Sequence, residues 1–141
     1  MDVRSVMTAT PAFCTADTPL QDVARMMADN DCGLIPVVDA SRAPIGVVTD
    51  RDIAIRIVAQ GRDVKASRAA DCMTTPVTTV TDDSGLGECC DAMEAQQVRR
   101  VPVVDANGHL CGIVSLADVA LSGRDQKIAE VVKHVSEPTR H

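Results

Sequence analysis

Apolar residues recur along the chain with two distinct periods. Leu20, Val23, Ala24 and Met27 fall at i, i+3, i+4 and i+7, the stripe of a helix with one buried face. Thr18 and Pro19 precede it as an N-cap and a proline at the first helical position, so the spacing predicts a helix that starts there. A continuous apolar run from Leu34 to Val38 predicts a buried strand. A turn around Asp39 to Pro44 and a second strand over Ile45 to Thr49 follow. A further helix is expected over about Asp50 to Gln60, closed by Gly61. With a short extended segment near Phe13 and Cys14, the order is strand, helix, strand, strand, helix.

The same order then repeats. Leu34-Ile35-Pro36-Val37-Val38-Asp39 is echoed by Arg100-Val101-Pro102-Val103-Val104-Asp105 at an offset of 66 residues. That offset also carries Met7-Thr8 onto Met73-Thr74, Leu20 onto Leu86, Met27 onto Met93, Gly46 onto Gly112, Thr49 onto Ser115 and Asp52 onto Asp118. The second helix stripe becomes Leu86, Cys89, Cys90 and Met93, and the later elements become strands at Val101–Val104 and Leu110–Ser115 and a helix over Leu116–Leu121. Residues 61 to 71 are polar and read as a connector. A last helix is expected over about Asp125 to Val135, ending before Pro138. The sequence therefore divides into a first repeat at 1–61, a second repeat with its connector at 62–122, and a C-terminal helix and tail at 123–141. One such unit buries too little surface to be comfortably stable alone, so the expected fold is α+β, two β-α-β-β-α repeats packed about a pseudo-twofold axis.

Composition narrows the classes of function. Fourteen Lys and Arg against twenty Asp and Glu leave a net charge of −6, and Phe13 is the single aromatic residue. A nucleic-acid reader needs a basic face or stacking platforms, and an anionic membrane needs positive charge. No apolar stretch reaches the length of a membrane span and no signal peptide opens the chain, so the expected compartment is the cytoplasm. Cysteines at 14, 32, 72, 89, 90 and 111 form no C-x-x-C pair, and histidines at 109, 134 and 141 show no ligand spacing with them. The cysteines read as core residues, and no metal site is expected. Neither a nucleophile-base set nor a glycine-rich phosphate loop is present, so an enzyme is not expected.

The chemistry that stands out is also duplicated. Gly46-Val47-Val48-Thr49-Asp50-Arg51-Asp52 and Gly112-Ile113-Val114-Ser115-Leu116-Ala117-Asp118 share the pattern G-h-h-[ST]-x-x-D. Each puts a hydroxyl at a strand-to-helix turn and a carboxylate three residues on. A helix start attracts phosphate through its unpaired N–H groups, and a carboxylate accepts hydrogen bonds from both hydroxyls of a ribose. Thr, Ser and Asp are also ordinary capping residues, and one such motif alone would be read as a cap. Its recurrence after the same strand motif brings the chemical reading level with the capping one.

Two copies of h-P-V-V-D, each followed by G-h-h-[ST]-x-x-D, with Met-Thr entries at Met7 and Met73, resemble a tandem pair of CBS domains, the Bateman module. The resemblance covers about residues 3–122. Thr49-Asp50-Arg51-Asp52-Ile53 and Gln97 to Val103 are further similar to small stand-alone bacterial CBS-pair proteins of stress or hypoxia. The resemblance implies a regulatory module that binds AMP, ADP, ATP or S-adenosylmethionine in the cleft between repeats, without an obligatory cofactor. It implies that Asp52 and Asp118 hold ribose and that Thr49 and Ser115 meet phosphate. On the same resemblance, Ile35, Pro36, Val101 and Pro102 would flank adenine, with Phe13 or Val77 closing the pocket. Arg51 adds positive charge at the first site, where the second has Ala117; Arg100 compensates at the second. A homodimer formed through helical faces and an unidentified protein effector are expected as partners. The alternative reading is a ligand-free dimeric stress or scaffold protein of the same fold, whose motif residues only cap helices.

Overall fold

The computed structural model describes residues 1–122 together with Val135, so the helix expected over 125–135 lies, Val135 apart, outside the described residues. The elements are β1 (Thr8–Ala9), β2 (Cys14–Thr15), α1 (Leu20–Asn30), β3 (Leu34–Val38), β4 (Pro44–Thr49), α2 (Asp50–Ile53), β5 (Val80–Thr81), α3 (Leu86–Gln96), β6 (Arg100–Val104), β7 (Leu110–Ser115) and α4 (Leu116–Leu121). The class is α+β, and the expected order of elements occurs twice. The first helix-forming stripe buries Leu20, Val23 and Met27; the second buries Leu86, Cys89, Cys90 and Met93. Burial of one apolar face is the main force holding such helices in place.

Packing groups the chain differently from the sequence repeat. One compact unit is Ala12–Val77; the other joins Met1–Pro11 to the chain from Thr78 onward. The leading segment of each repeat is exchanged because strand pairing, not chain proximity, decides where it lies. Thr8 and Ala9 pair antiparallel with Ile113 and Gly112 of β7, completing the sheet β1-β7-β6-β5. Thr74 forms the corresponding bridge in the 12–77 unit, donating its N–H to the carbonyl of Val47 at 2.8 Å and accepting from the N–H of Val47 at 3.1 Å. It extends the sheet β2-β3-β4 by one bridge beyond β4.

This pairing also explains the proline in the strand motif. Pro36 sits in the middle of β3 opposite Val47, whose own N–H and C=O point outward to Thr74. On the other side, the parallel pairing of β2 starts only at Val37. A missing N–H at Pro36 therefore costs no ladder bond, although proline is normally excluded from such strands. Pro102 occupies the same register opposite Ile113, and β5 pairs only from Val103. The aspartate that ends the motif organises the following turn. Asp39 accepts from the N–H groups of Ser41 and Ala43 and from the Ser41 hydroxyl; the Ala43 and Ser41 donors hold its carboxyl below the ordinary range. Asp105 accepts likewise from the N–H groups of Asn107 and His109.

Three local features depart from the sequence reading. Thr18 does not cap α1; its hydroxyl accepts from the N–H of Thr15, closing the turn after β2, and Pro19 itself holds the cap position. The helix expected over 50–60 is α-helical only to Ile53 and continues as a wider π turn over Ala54–Val58. Helices α1 and α3 end in left-handed residues that are not glycine, Asp31 (φ 49) and Gln97 (φ 51), at equivalent positions of the two repeats.

The motif glycines have a packing reason. A Cβ on Gly46 would lie 2.8 Å from the carbonyl oxygen of Thr74 and 2.9 Å from the Thr75 methyl carbon, and one on Gly112 would collide with Met7 and lie 3.0 Å from the Thr8 carbonyl oxygen. Gly87, on the exposed side of α3, has open space around it. Gly46→Ala is therefore expected to destabilise the fold by about 1–3 kcal/mol through overpacking against backbone. Gly87→Ala is expected to stabilise it by about 0.5–1 kcal/mol through helix propensity. Urea unfolding of both variants checks the pair, and a neutral Gly46→Ala would remove the close-approach argument.

Candidate functional site

In the 12–77 unit, β4 runs into α2 through Thr49, whose extended backbone (φ −109, ψ 161) places it as the N-cap. Its hydroxyl oxygen accepts from the N–H of Asp52 at 3.0 Å, and Asp52 Oδ2 accepts from the N–H of Thr49 at 2.9 Å. This reciprocal capping box satisfies two donors that a helix start leaves unpaired. The Thr49 hydroxyl oxygen serves as acceptor there, which leaves its own O–H to donate elsewhere. Asp52 is 9% exposed and has further partners. The Thr74 hydroxyl donates to both of its oxygens, at 3.2 and 3.3 Å, and Arg56 Nε lies 3.8 Å from Oδ1. Arg56 also donates from Nη1 to the carbonyls of Cys72 and Met73, at 3.4 and 3.2 Å. Arg51 is exposed beside Asp52.

The second loop has the same skeleton with fewer supports. Ser115 caps α4, its hydroxyl oxygen accepting from the N–H of Asp118 at 3.0 Å, while Asp118 Oδ2 accepts from the N–H of Ser115 at 3.0 Å. Asp118 is half-buried. Among the described residues no cation or hydroxyl meets its Oδ1, because the positions equivalent to Arg51 and Arg56 hold Ala117 and Ser122. Positive charge comes instead from the neighbouring strand. Arg100 is exposed and stands in register with Ser115 across the β6–β7 ladder, which puts the two side chains on one sheet face.

The remaining candidates divide between the units. Ile35, Pro36, Phe13 and Val77 belong to the 12–77 unit with Thr49, Arg51 and Asp52; Val101, Pro102 and Arg100 belong with Ser115 and Asp118. Ile35 and Val101 are each 1% exposed, so their side chains are core and only their backbone can face a ligand. Phe13 precedes Cys14, which is in register with Val37, so its backbone lies level with Pro36 of β3. The Arg42 guanidinium stands 4.8 Å over the Phe13 ring, a favourable cation–π distance. Arg42 holds a left-handed conformation (φ 67) where its counterpart is Gly108 (φ 80). Thr74 and Arg56 were not singled out by the sequence. Thr74 lay inside the repeated Met-Thr pair without an evident role, and the Asp52–Arg56 spacing of four on a helix is a signal that can reveal the ion pair.

Comparison with known proteins places these loops in context. The family model for the CBS domain matches residues 3–59 and again residues 69–122. The uncharacterised protein MK0525 of Methanopyrus kandleri is 35% identical over 116 residues, covering 82% of this chain and 57% of that relative's own length. Hypoxic response protein 1 of Mycobacterium tuberculosis is 31% identical over 135 residues, covering 96% of this chain and 94% of that one. Among solved structures, Hypoxic Response Protein I with two coordinated zinc ions superposes with a TM-score of 0.77 at 32% identity, covering 86% and 98% of the two chains. The CBS domain pair of MJ0100, in complex with 5-methylthioadenosine and S-adenosyl-L-methionine, gives a TM-score of 0.77 at 22% identity, covering 88% and 100%. CBSX2 in complex with AMP gives 0.73 at 24% identity, covering 86% and 95%. At those last two identities the likeness speaks to fold.

No group of three or more His, Cys, Asp or Glu able to hold a metal ion occurs among the described residues. Cys14, Cys72, Cys89 and Cys90 are buried, and Cys32 and Cys111 are half-buried. Burial, with the nearby Cys72 thiol adding to it, pushes the Cys14 thiol up to about 11; burial, with neighbouring Cys90, pushes Cys89 up to about 12. The thiols of Cys14 and Cys89 are thus protonated at neutral pH and poor nucleophiles. The folded protein holds these protons where the unfolded chain, with ordinary thiols near pH 8.5–9, releases them. Their contribution to stability is therefore complete below about pH 8.5 and is lost as pH rises towards 11. Urea unfolding at pH 8 and pH 10.5 is expected to show that loss, with Cys14 and Cys89 unreactive to a thiol reagent in the native protein at pH 8. Rapid native labelling of either cysteine contradicts the burial argument.

Proposed function

The chain belongs to the CBS domain family, with two tandem copies, and from that premise we propose that it is a non-enzymatic regulatory module that binds an adenosine-containing ligand. The observation that carries this reading is the repeated loop in which a strand-end hydroxyl keeps its O–H free to donate while a carboxylate three residues on faces the same turn. A hydroxyl donor suits phosphate and a carboxylate acceptor suits ribose hydroxyls. The known complexes of CBS-pair structures with AMP and with S-adenosyl-L-methionine support the ligand class. Adenine would lie against the backbone of Ile35-Pro36 or Val101-Pro102, with Phe13 or Val77 beside it. AMP, ADP, ATP and S-adenosylmethionine are the candidates.

The module would act as a homodimer in the cytoplasm. Ile55 and Val58 on the π turn and Leu121 on α4 are large apolar side chains exposed at 43%, 60% and 86%, and a second copy is the partner proposed to cover them. No helix among the described residues is long and apolar enough to cross a membrane. Occupancy would reach a protein effector only if the ligand prefers one conformation of the module over another.

A second reading, a ligand-free scaffold of the same fold, is favoured by one observation: both loops already satisfy their local donors through capping boxes. Thermal unfolding with AMP, ATP or S-adenosylmethionine separates the two. A ligand present at 100 times its dissociation constant is expected to add about 2.7 kcal/mol of stability. No shift with any of the three at millimolar concentration selects the scaffold.

A further inference from the structure

The two repeats carry the same motif, but the carboxylates at its end face different demands. Asp52 is 9% exposed and accepts from the Thr49 N–H, from the Thr74 hydroxyl on both oxygens, and faces the Arg56 guanidinium. A carboxylate offers about four lone-pair positions. A ribose diol needs an open edge with one position on each oxygen; at 9% exposure, with the single Thr74 O–H shared between both oxygens and Arg56 beside Oδ1, Asp52 presents that edge only if Thr74 or Arg56 moves away. Those two partners do more than occupy it. Thr74 forms the backbone bridge to Val47, and Arg56 grips the carbonyls of Cys72 and Met73. Asp52 is thus the anchor that fixes residues 72–74 against β4. Among the described residues, the Asp118 carboxylate accepts one hydrogen bond, from the Ser115 backbone N–H on Oδ2. Thr8, the counterpart of Thr74, pairs with Ile113 through its backbone and is exposed, and among the described residues its hydroxyl makes no hydrogen bond to Asp118.

We infer that the loops are not two equivalent ligand sites: Asp52 is a structural clamp on residues 72–74, and the chain takes one adenosine ligand, whose ribose is held by Asp118 and whose phosphate is met by Arg100. This rests on the adenosine-binding reading above and assigns that binding to one repeat. Arg56 and Thr74 are positioning residues; they act by withdrawing Asp52 from ligand contact. The charge pattern agrees. Arg100 shares a sheet face with the Ser115 side chain, so an anionic group next to an Asp118-bound ribose finds a cation. Arg51 stands by a carboxylate that is already engaged.

Two measurements on the full chain test this. Without ligand, Thr74→Val is expected to lower Tm by about 3–5 °C, the loss of one hydrogen bond to a buried carboxylate, whereas Thr8→Val leaves Tm unchanged. Equal shifts in the two variants overturn the clamp. With AMP, titration calorimetry is expected to give one molecule bound per chain. Asp118→Ala should abolish binding, and Arg100→Gln should weaken AMP about tenfold while leaving adenosine within about twofold. Two molecules per chain, or binding retained in Asp118→Ala, overturns the single-site inference while leaving the adenosine reading intact. If AMP, ATP and S-adenosylmethionine all fail to bind the unaltered chain, the adenosine reading fails, and the single site falls with it.

Discussion

Much of the arrangement depends on one close approach: a Met-Thr segment lies over a glycine. At Gly46 and at Gly112 there is no room for a Cβ, because Thr74 and Thr8 bring their carbonyls across the strand at that point. Without that contact β4 would lose the bridge from Thr74, and β7 would lose β1. The consequences reach the loops. The bridge that Thr74 makes with Val47 brings its hydroxyl to Asp52, a contact that no local preference of the 49–52 segment specifies. Glycine in G-h-h-[ST]-x-x-D is therefore a packing requirement, while the hydroxyl and carboxylate that follow it close the cap of the next helix.

What could be read from the residues was what is local and periodic. The stripes Leu20-Val23-Met27 and Leu86-Cys89-Cys90-Met93 are buried because a helix on a sheet has one inward face, and that periodicity is visible without neighbours. The strands at 34–38 and 110–115 match their apolar runs for the same reason. The motif loops were legible as hydroxyl-plus-carboxylate turns, and the reciprocal caps at Thr49/Asp52 and Ser115/Asp118 have that form. Long-range choices were not legible. Nothing near Thr8 says that it pairs with Ile113 rather than with the repeat it precedes, and nothing near Thr18 says that Thr15 will take its hydroxyl. Asp31 and Gln97 stop their helices in left-handed geometry without the glycine that usually announces such an end.

Duplication preserved the frame and let its occupants diverge. Position by position, Val23 and Ala24 correspond to Cys89 and Cys90, Arg42 to Gly108, Arg51 to Ala117 and Arg56 to Ser122. The core exchanges are small apolar groups of similar size, which a well-packed interior tolerates. The exchanges at Arg51 and Arg56 lie at the motif turn, and they alter the electrostatics of two otherwise matched loops. A symmetric backbone thus carries asymmetric chemistry.

The split composition of one unit sets an order of events during synthesis. Residues 12–77 are contiguous and can close as soon as they leave the ribosome. The other unit cannot, since its edge strand is made at Thr8 while the strand it pairs with ends at Ser115. The N-terminal segment must wait, unpaired, while about a hundred residues are translated, and its docking is a late, entropically costly loop closure. The nascent chain would therefore mature from its middle outward, with its first residues among the last to find their place.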